Sequence, residues 1–372
     1  MTTRPAAAVG MPLSAVDTPC LILELDAFER NLQRLPESVR GTNIRLRPHA
    51  KSHKCPEIAL RQIALGAVGV CVQKVTEAEA LVAGGVKDIL IANEVVGTPK
   101  LKLLAELNKQ ARVAVCVDDA GNVSALDEAA RAAGVRLEVL VEIDVGANRC
   151  GVEPGAPAVA LAQHVVACGN LRFAGLQAYQ GSAQHIRKVG DRRNAIARAV
   201  DEVRATTRLL GAAGIECNYV TGAGTGSYMF EAASGTYHEL QAGSYIFMDA
   251  DYARNEWTES GTPQFEHSLY VWTTVMSAPT PGRAVVDAGL KASSIDSGMP
   301  RVADYGDVEC VRMSDEHCVL ELSGATRFKV GDKLKLIPGH CDPTVNLYDS
   351  YVCVRGGRVE ALWPITARGA LL

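Results

Sequence analysis

RVAVCVDDAGNVSALDEAARAAGVRLEVLVEI, residues 112–143, is the stretch whose reading decides the fold. It opens on a mainly apolar run of strand length, 112–117, and closes on another, 137–143. The segment between them is helix-patterned. Strands apolar on successive residues are buried on both faces, as in a parallel sheet covered by helices. The alternation extends in both directions. Strand-length runs fall at 20–24, 44–48, 67–73 and 88–92 before it, and at 171–178 and 217–221 after it. Helix-patterned segments separate them, among them 56–66, with Pro56 at a first helical position, 75–84 and 193–213. Eight such units before residue 250 predict an α/β fold, a (β/α)8 barrel. A doubly wound open sheet is the alternative that the alternation leaves standing.

Beyond residue 250 the long amphipathic segments stop. Short strand-like runs at 267–276, 317–322, 333–337 and 351–354 are divided by Gly, Pro and Asp turns. The expected organisation is a flexible N-terminal arm over 1–16, a barrel over 17–250 and a smaller β domain over 251–372, on which the arm can pack. A length of 372 residues suits one large domain plus a smaller one. A net charge of −4 without a Lys/Arg run excludes a nucleic-acid footprint, and no apolar stretch is long enough for a membrane span. Eleven cysteines without C-x-x-C spacing read as free thiols in a reducing, cytoplasmic setting.

Barrels carry their chemistry on the loops after the strands. RPHAKSHK (47–54) follows the second expected strand and gathers Arg47, His49, Lys51, His53 and Lys54. A lysine there can condense with a carbonyl if burial or cationic neighbours lower its pKa, although the stretch also reads as a solvated basic turn. DVGANRCG (144–151) offers Arg149, and QAYQGSAQH (177–185) offers Tyr179, Ser182 and His185. TGAGTGS (221–227), after the last expected strand, is a glycine-rich loop where barrels commonly bind phosphate, and QAGSYIFMD (241–249) adds Gly243, Ser244 and Tyr245. GHCDPTVN (339–346) places His340 and Asp342 two apart, on one face of an extended segment, with Cys341 facing the other way. An imidazole and a carboxylate make a metal-ligand pair, and an Asp-Pro turn is the plainer reading.

Taken together, RPHAKSHKCPEIALRQ, EVLVEIDVGANRCG, FAGLQAYQGSAQH, TGAGTGS, LQAGSYIFMD, DAGLKA and GHCDPTVN resemble the D-threonine aldolase and D-serine dehydratase family, which belongs to the alanine-racemase-like, fold-type III pyridoxal phosphate enzymes. The resemblance runs from Asp17 to the end of the chain, with the motifs in the family's order. It implies an N-terminal alanine-racemase-type barrel, a C-terminal β domain and a homodimer with sites near the subunit interface. Lys51 would carry pyridoxal 5'-phosphate covalently, Arg149 would meet its phenolate oxygen and Tyr179 its ring. Gly224, Thr225, Gly243 and Ser244 would cradle the phosphate, with Tyr245 beside them. His340 and Asp342 match the metal ligands, His185 matches a general base, and Asp315 in SDEHC matches an acidic residue near the metal.

The family divides at the second metal ligand. Its dehydratases show His-x-Cys and bind zinc, whereas its aldolases show His-x-Asp and use harder ions: manganese foremost, then magnesium or cobalt. His340-Cys341-Asp342 favours the aldolase, with zinc the preferred ion were Cys341 to swing in. Gln180 stands where many relatives carry His. The implied activity is carbon–carbon cleavage of D-threonine and related β-hydroxy-D-amino acids to glycine and an aldehyde. The alternatives are a D-3-hydroxyaspartate aldolase or dehydratase, a D-serine dehydratase, a metal-independent racemase and a non-catalytic pyridoxal phosphate protein.

Overall fold

Strands that are apolar on successive residues must find cover on both sides, and the chain provides it by closing a parallel sheet and wrapping it in helices. A computed structural model describes residues 6–258 and 264–372. Its eight-stranded sheet takes Arg45–Leu46, Val70–Val72, Asp88–Glu94, Arg112–Val117, Leu137–Glu142, Leu171–Ala178, Val220–Gly222 and Glu239–Leu240, each parallel to the next. Val68 N–H donates to Leu46 O at 2.9 Å and Cys71 N–H to Pro48 O at 2.9 Å, joining the first strand to the second. The sheet is therefore a barrel, not the open doubly wound alternative.

Two strand assignments need correction. Cys20–Glu24 is not a barrel strand. It runs antiparallel to Leu269–Thr280 and parallel to Ser350–Arg355 in the second sheet. CLILE is buried on both faces, as the barrel strands are, so periodicity cannot say which sheet owns it. The eighth barrel strand is Glu239–Leu240, too short and too polar to register as an apolar run. RPHAKSHK thus follows the first barrel strand, and TGAGTGS follows the seventh.

The helices sit where expected: Pro56–Ala64, Val75–Ala83 and Val189–Ala212. Helix Ala120–Ala133 shows the local code. Asp119 caps it, accepting from Asn122 N–H at 2.8 Å, and Gly134 ends it at φ +68°, a left-handed turn that suits glycine. At the strands' N-terminal ends a buried ion cluster fills the barrel. Arg47 meets Glu239 at 2.9 Å and Asp88 at 2.6 Å, and Tyr219 donates to Glu239.

The second sheet has nine strands and is antiparallel apart from the Cys20–Glu24/Ser350–Arg355 pair. It includes Leu269–Thr280, Cys318–Leu322, Lys333–Ile337 and Ser350–Arg355, near the expected runs. Residues 6–16 of the expected arm pack on the β domain. Gly10 N–H donates to Val359 O at 2.8 Å and Leu13 N–H to Gly357 O at 2.9 Å, while Ala7 and Val16 are buried. Residues 1–5 of that arm lie outside the described residues. Among the described residues no helix is long and apolar enough to cross a membrane.

One apolar cluster spans both sheets and includes Tyr245, Phe247, Leu269 and Tyr351. Polar ties reinforce it. Tyr351 Oη donates to His53 O at 2.7 Å, and Ala250 N–H to Pro338 O at 2.9 Å. These contacts bring 339–346 over the C-terminal mouth of the barrel.

Candidate active site

The site is built from the loops at that mouth. A cavity of about 450 Å³ opens there, lined among others by Lys51, Arg149, Tyr179, His185, Gly224, Thr225, Gly243, Ser244, His340 and Asp342. These ten come from both sheets, and nine of them lie more than twenty residues from Lys51. Lys51 stands on the short 3-10 helix Ala50–Ser52 directly after the first barrel strand. Its Nζ lies 3.7 Å from Asp342 Oδ2, and His340 Nε2 lies 3.9 Å from Asp342 Oδ1. The His-x-Asp segment is not extended throughout, as the spacing alone predicts. His340 is extended, but Cys341–Val345 forms one helical turn. Both side chains still face the cavity. Cys341 is fully buried on the far side, its Sγ 3.4 Å from Met248 O.

His340 is held from behind. Its Nδ1–H donates to Asp296 Oδ2 at 2.8 Å, leaving Nε2 free toward Asp342. Burial works against charge on this imidazole, but Asp342, Asp296 and Asp249 outweigh it and raise its pKa. His185 is held in the same way on the opposite wall, its Nδ1 2.7 Å from Asp251 Oδ2. Burial pushes Asp249, at the cavity floor, up to about 6. Its oxygens accept Tyr252 N–H at 2.9 Å and Cys341 N–H at 3.2 Å. Beside Lys51, burial together with Lys51, His53 and Arg149 holds His49 well below the ordinary histidine pKa, so it stays neutral.

Arg149 lies with its guanidinium carbon 5.7 Å from the centroid of the Tyr179 ring. Its neighbours are acidic. Glu94, Asp118 and Cys150 bring their ligand atoms within 4.8 Å of one another, and burial beside Glu94 raises Glu142 to about 9. Gln180 is buried. Its Nε2 donates to Val145 O at 3.1 Å and its Oε1 accepts Ser182 N–H at 3.0 Å, tying the Arg149 loop to the His185 loop. That is a physical account of glutamine at this position.

Two groups test the expected cofactors. Thr225 Oγ1 is buried and has no hydrogen-bond partner, and it sits in the glycine-rich loop 221–227. A Cβ on Gly243 would lie 2.7 Å from His49 O, so the chain can pass there only as glycine. Asp342 Oδ1 is likewise buried without a partner, beside an imidazole nitrogen. An unpartnered hydroxyl in a glycine-rich loop suits a phosphate, and an imidazole–carboxylate pair suits a divalent ion.

Two expected residues are not in the cavity. Tyr245 turns into the core, its ring 5.6 Å from Phe265 and its Oη accepting from Gln62 at 3.2 Å. Asp315 is exposed on the turn between Val308–Met313 and Cys318–Leu322, where its carbonyl accepts Lys291 N–H at 3.1 Å. The reading of motifs missed Asp249, Asp251 and Asp296. The first two stand two apart in MDAD (248–251), a signal that was available; Asp296 lies in an irregular stretch with no pattern around it.

Residues 23–251 match the family described as alanine racemase, N-terminal domain, and residues 268–354 match a serine dehydratase domain family. The chain is 49% identical to the D-threonine aldolase of an Arthrobacter species over 98% of its own length and 96% of that protein's. It is 48% identical to the 3-hydroxy-D-aspartate aldolase of Paracoccus denitrificans, covering 97% of this chain and 94% of that one. It is also similar to the crystal structure of D-threonine aldolase from Filomicrobium marinum, with a TM-score of 0.96, 52% identity and full coverage of both chains.

Proposed function

The chain belongs to the alanine racemase N-terminal-domain family and, within it, to the D-threonine aldolase group, and on that premise we propose that it cleaves D-threonine and related β-hydroxy-D-amino acids to glycine and an aldehyde, using pyridoxal phosphate and a divalent metal ion, manganese foremost. It is a carbon–carbon lyase. The observation that carries the reading is that Asp342 stands in the cavity with Lys51 Nζ 3.7 Å from its Oδ2 and His340 Nε2 3.9 Å from its Oδ1.

When bound, pyridoxal phosphate would act as the electron sink for the carbon losing its bond, and the ion would lower the pKa of the substrate's β-hydroxyl. Lys51 Nζ would hold the cofactor, with Arg149 and Tyr179 against its ring and Thr225 Oγ1 among its phosphate donors. His340 Nε2 and Asp342 would hold the ion. His185 Nε2 takes the β-hydroxyl proton, because Asp251 occupies Nδ1 and leaves Nε2 with the lone pair. Loss of that proton releases the aldehyde as the Cα–Cβ bond breaks. Lys51, released from the cofactor when the substrate's amino group takes its place, would return a proton to Cα.

Asp342 supports aldol cleavage over dehydration. A carboxylate prefers harder ions than a thiolate does, and Cys341 is held away by the Met248 carbonyl. Similarity to the Paracoccus enzyme favours 3-hydroxy-D-aspartate as a second substrate. Assembly as a homodimer in the cytoplasm belongs to the same proposal. The eleven free cysteines support a reducing compartment.

The test is incubation with D-threonine, L-threonine, D-serine and D-3-hydroxyaspartate, with and without manganese, and identification of products. Glycine plus an aldehyde, from D isomers and only with the metal, is expected. Ammonia plus a keto acid would overturn the aldolase reading.

A further inference from the structure

Two of the three imidazoles that line the cavity, His185 and His340, each have a carboxylate behind them, and the two carboxylates are joined. Asp251 holds His185 at 2.7 Å, and Asp296 holds His340 at 2.8 Å. Arg254 lies between them. Its Nη2 donates to Asp251 Oδ1 and, at 2.9 Å, to the carbonyl of Ser297. Ser297 Oγ in turn donates to Asp296 Oδ2 at 3.2 Å. One unbroken polar chain therefore runs from the barrel's His185 to the β domain's His340.

The two ends differ in how firmly they are otherwise held. Asp251 is buried and is gripped a second time by Arg187, whose Nη2 donates to Oδ1 at 2.5 Å and whose Nη1 donates to the Asp251 carbonyl at 2.7 Å. Asp296 is half-exposed and sits in a stretch without helix or strand, 287–300. Its other tie is Ser294 Oγ, within the same turn, at 2.7 Å. The turn that orients His340 is thus the looser partner, and Arg254 fastens it to the firmer one.

We propose that Arg254 is a positioning residue that sets the metal-ligand imidazole in register with the general-base imidazole, acting through Asp296 on one side and Asp251 on the other. The inference rests on the reading of His340 and Asp342 as ion ligands. Arg254 touches neither ligand. Without it the 296–297 turn is free to drift, the Asp296 bond to Nδ1 weakens, and Nε2 loses its fixed direction. A ligand imidazole oriented by an outer carboxylate binds its metal more tightly, by about 10- to 100-fold.

The experiment uses the full chain loaded with pyridoxal phosphate and titrated with manganese, reading the free ion by electron paramagnetic resonance. Cofactor absorbance and thermal unfolding check that each variant is folded. Asp296→Ala is expected to weaken manganese binding about 10- to 100-fold. Arg254→Ala is expected to weaken it by a smaller but clear factor. Because both act through one bond, the double variant should bind little worse than Asp296→Ala alone. Arg254→Lys, whose ammonium can meet both Asp251 and the Ser297 carbonyl, should recover part of the loss and guards against a folding artefact. In turnover, Arg254→Ala should lower kcat more than it raises KM. Native-like manganese affinity in Arg254→Ala, or losses that simply multiply in the double variant, overturn the proposal. Manganese binding that survives His340→Ala unchanged removes the ion site itself, and this proposal with it.

Discussion

Lys51 Nζ lies 3.7 Å from Asp342 Oδ2, although one residue stands at the first barrel strand and the other in the β domain. Neither sheet holds the pair alone. The apolar cluster containing Phe247 and Tyr351, and the bond from Tyr351 Oη to His53 O, set the separation. Chemistry that needs a lysine-bound ring and an ion on the same small substrate depends on that packing.

Lys51→Ala should abolish the visible absorbance of lysine-bound pyridoxal phosphate in the purified protein while leaving the fold intact by circular dichroism. Persistence of that absorbance would move the attachment to another residue.

Asp342→Cys exchanges a hard ligand for a soft one. Turnover with manganese should fall steeply, and zinc should become the tightly held ion in metal analysis of the dialysed protein. Chelation of the native protein by EDTA should stop cleavage, and added manganese should restore it. Cleavage that continues in EDTA would exclude a role for the ion.

His185→Ala removes the proposed proton acceptor without touching Lys51. Turnover should fall by about 10²-fold or more, the range for a positioned acid or base, with cofactor absorbance unchanged. Near-normal turnover would take His185 out of the mechanism.

Glu231 predicts a pH dependence of stability. Burial pushes its carboxyl from 4.5 up to about 7, against the hydroxyl of Ser227, which donates to Oε1 at 2.8 Å. The folded pKa is above the unfolded one, so the neutral carboxyl's contribution is present below about pH 4.5 and is lost as pH rises through 7. The loss is at most about 3 kcal/mol. Urea denaturation between pH 5 and pH 8 should show native stability falling, and Glu231→Gln should flatten that slope. Parallel slopes in the two proteins would contradict the assignment.

Arg47 tests the plug at the other end of the barrel. Arg47→Met leaves Glu239, fully buried, without its 2.9 Å partner. An uncompensated buried charge costs about 3–5 kcal/mol, so the urea midpoint should drop sharply. A midpoint within experimental error of native would show that Arg45, 4.0 Å from Glu239, together with Tyr219 and Thr221, which also donate to it, suffices.

Much of the barrel is legible in the chain, and the reason is local. Runs such as RVAVCV and LEVLVEI carry apolar residues on both of their faces because each strand is covered on both sides. Where the local signal fails, it fails for a stated cause. CLILE has the pattern of a barrel strand yet pairs in the other sheet, because double-sided burial looks the same in both. Glu239–Leu240 is invisible because two residues carry no period, and its glutamate is inside the barrel on account of Arg47.

What the sequence determined by itself is the parallel α/β character and the inventory of loops that bear Lys51, Arg149, His185, Thr225, His340 and Asp342, since strand burial and loop composition are written in consecutive residues. What only the tertiary structure decided is which of these meet: that Asp342 reaches Lys51, that Asp251 and Asp296 stand behind the two histidines, and that Tyr245 and Asp315 stay outside the cavity. Those relations depend on how the β domain packs over the barrel mouth, and contacts between residues far apart in the chain leave no periodic trace in it.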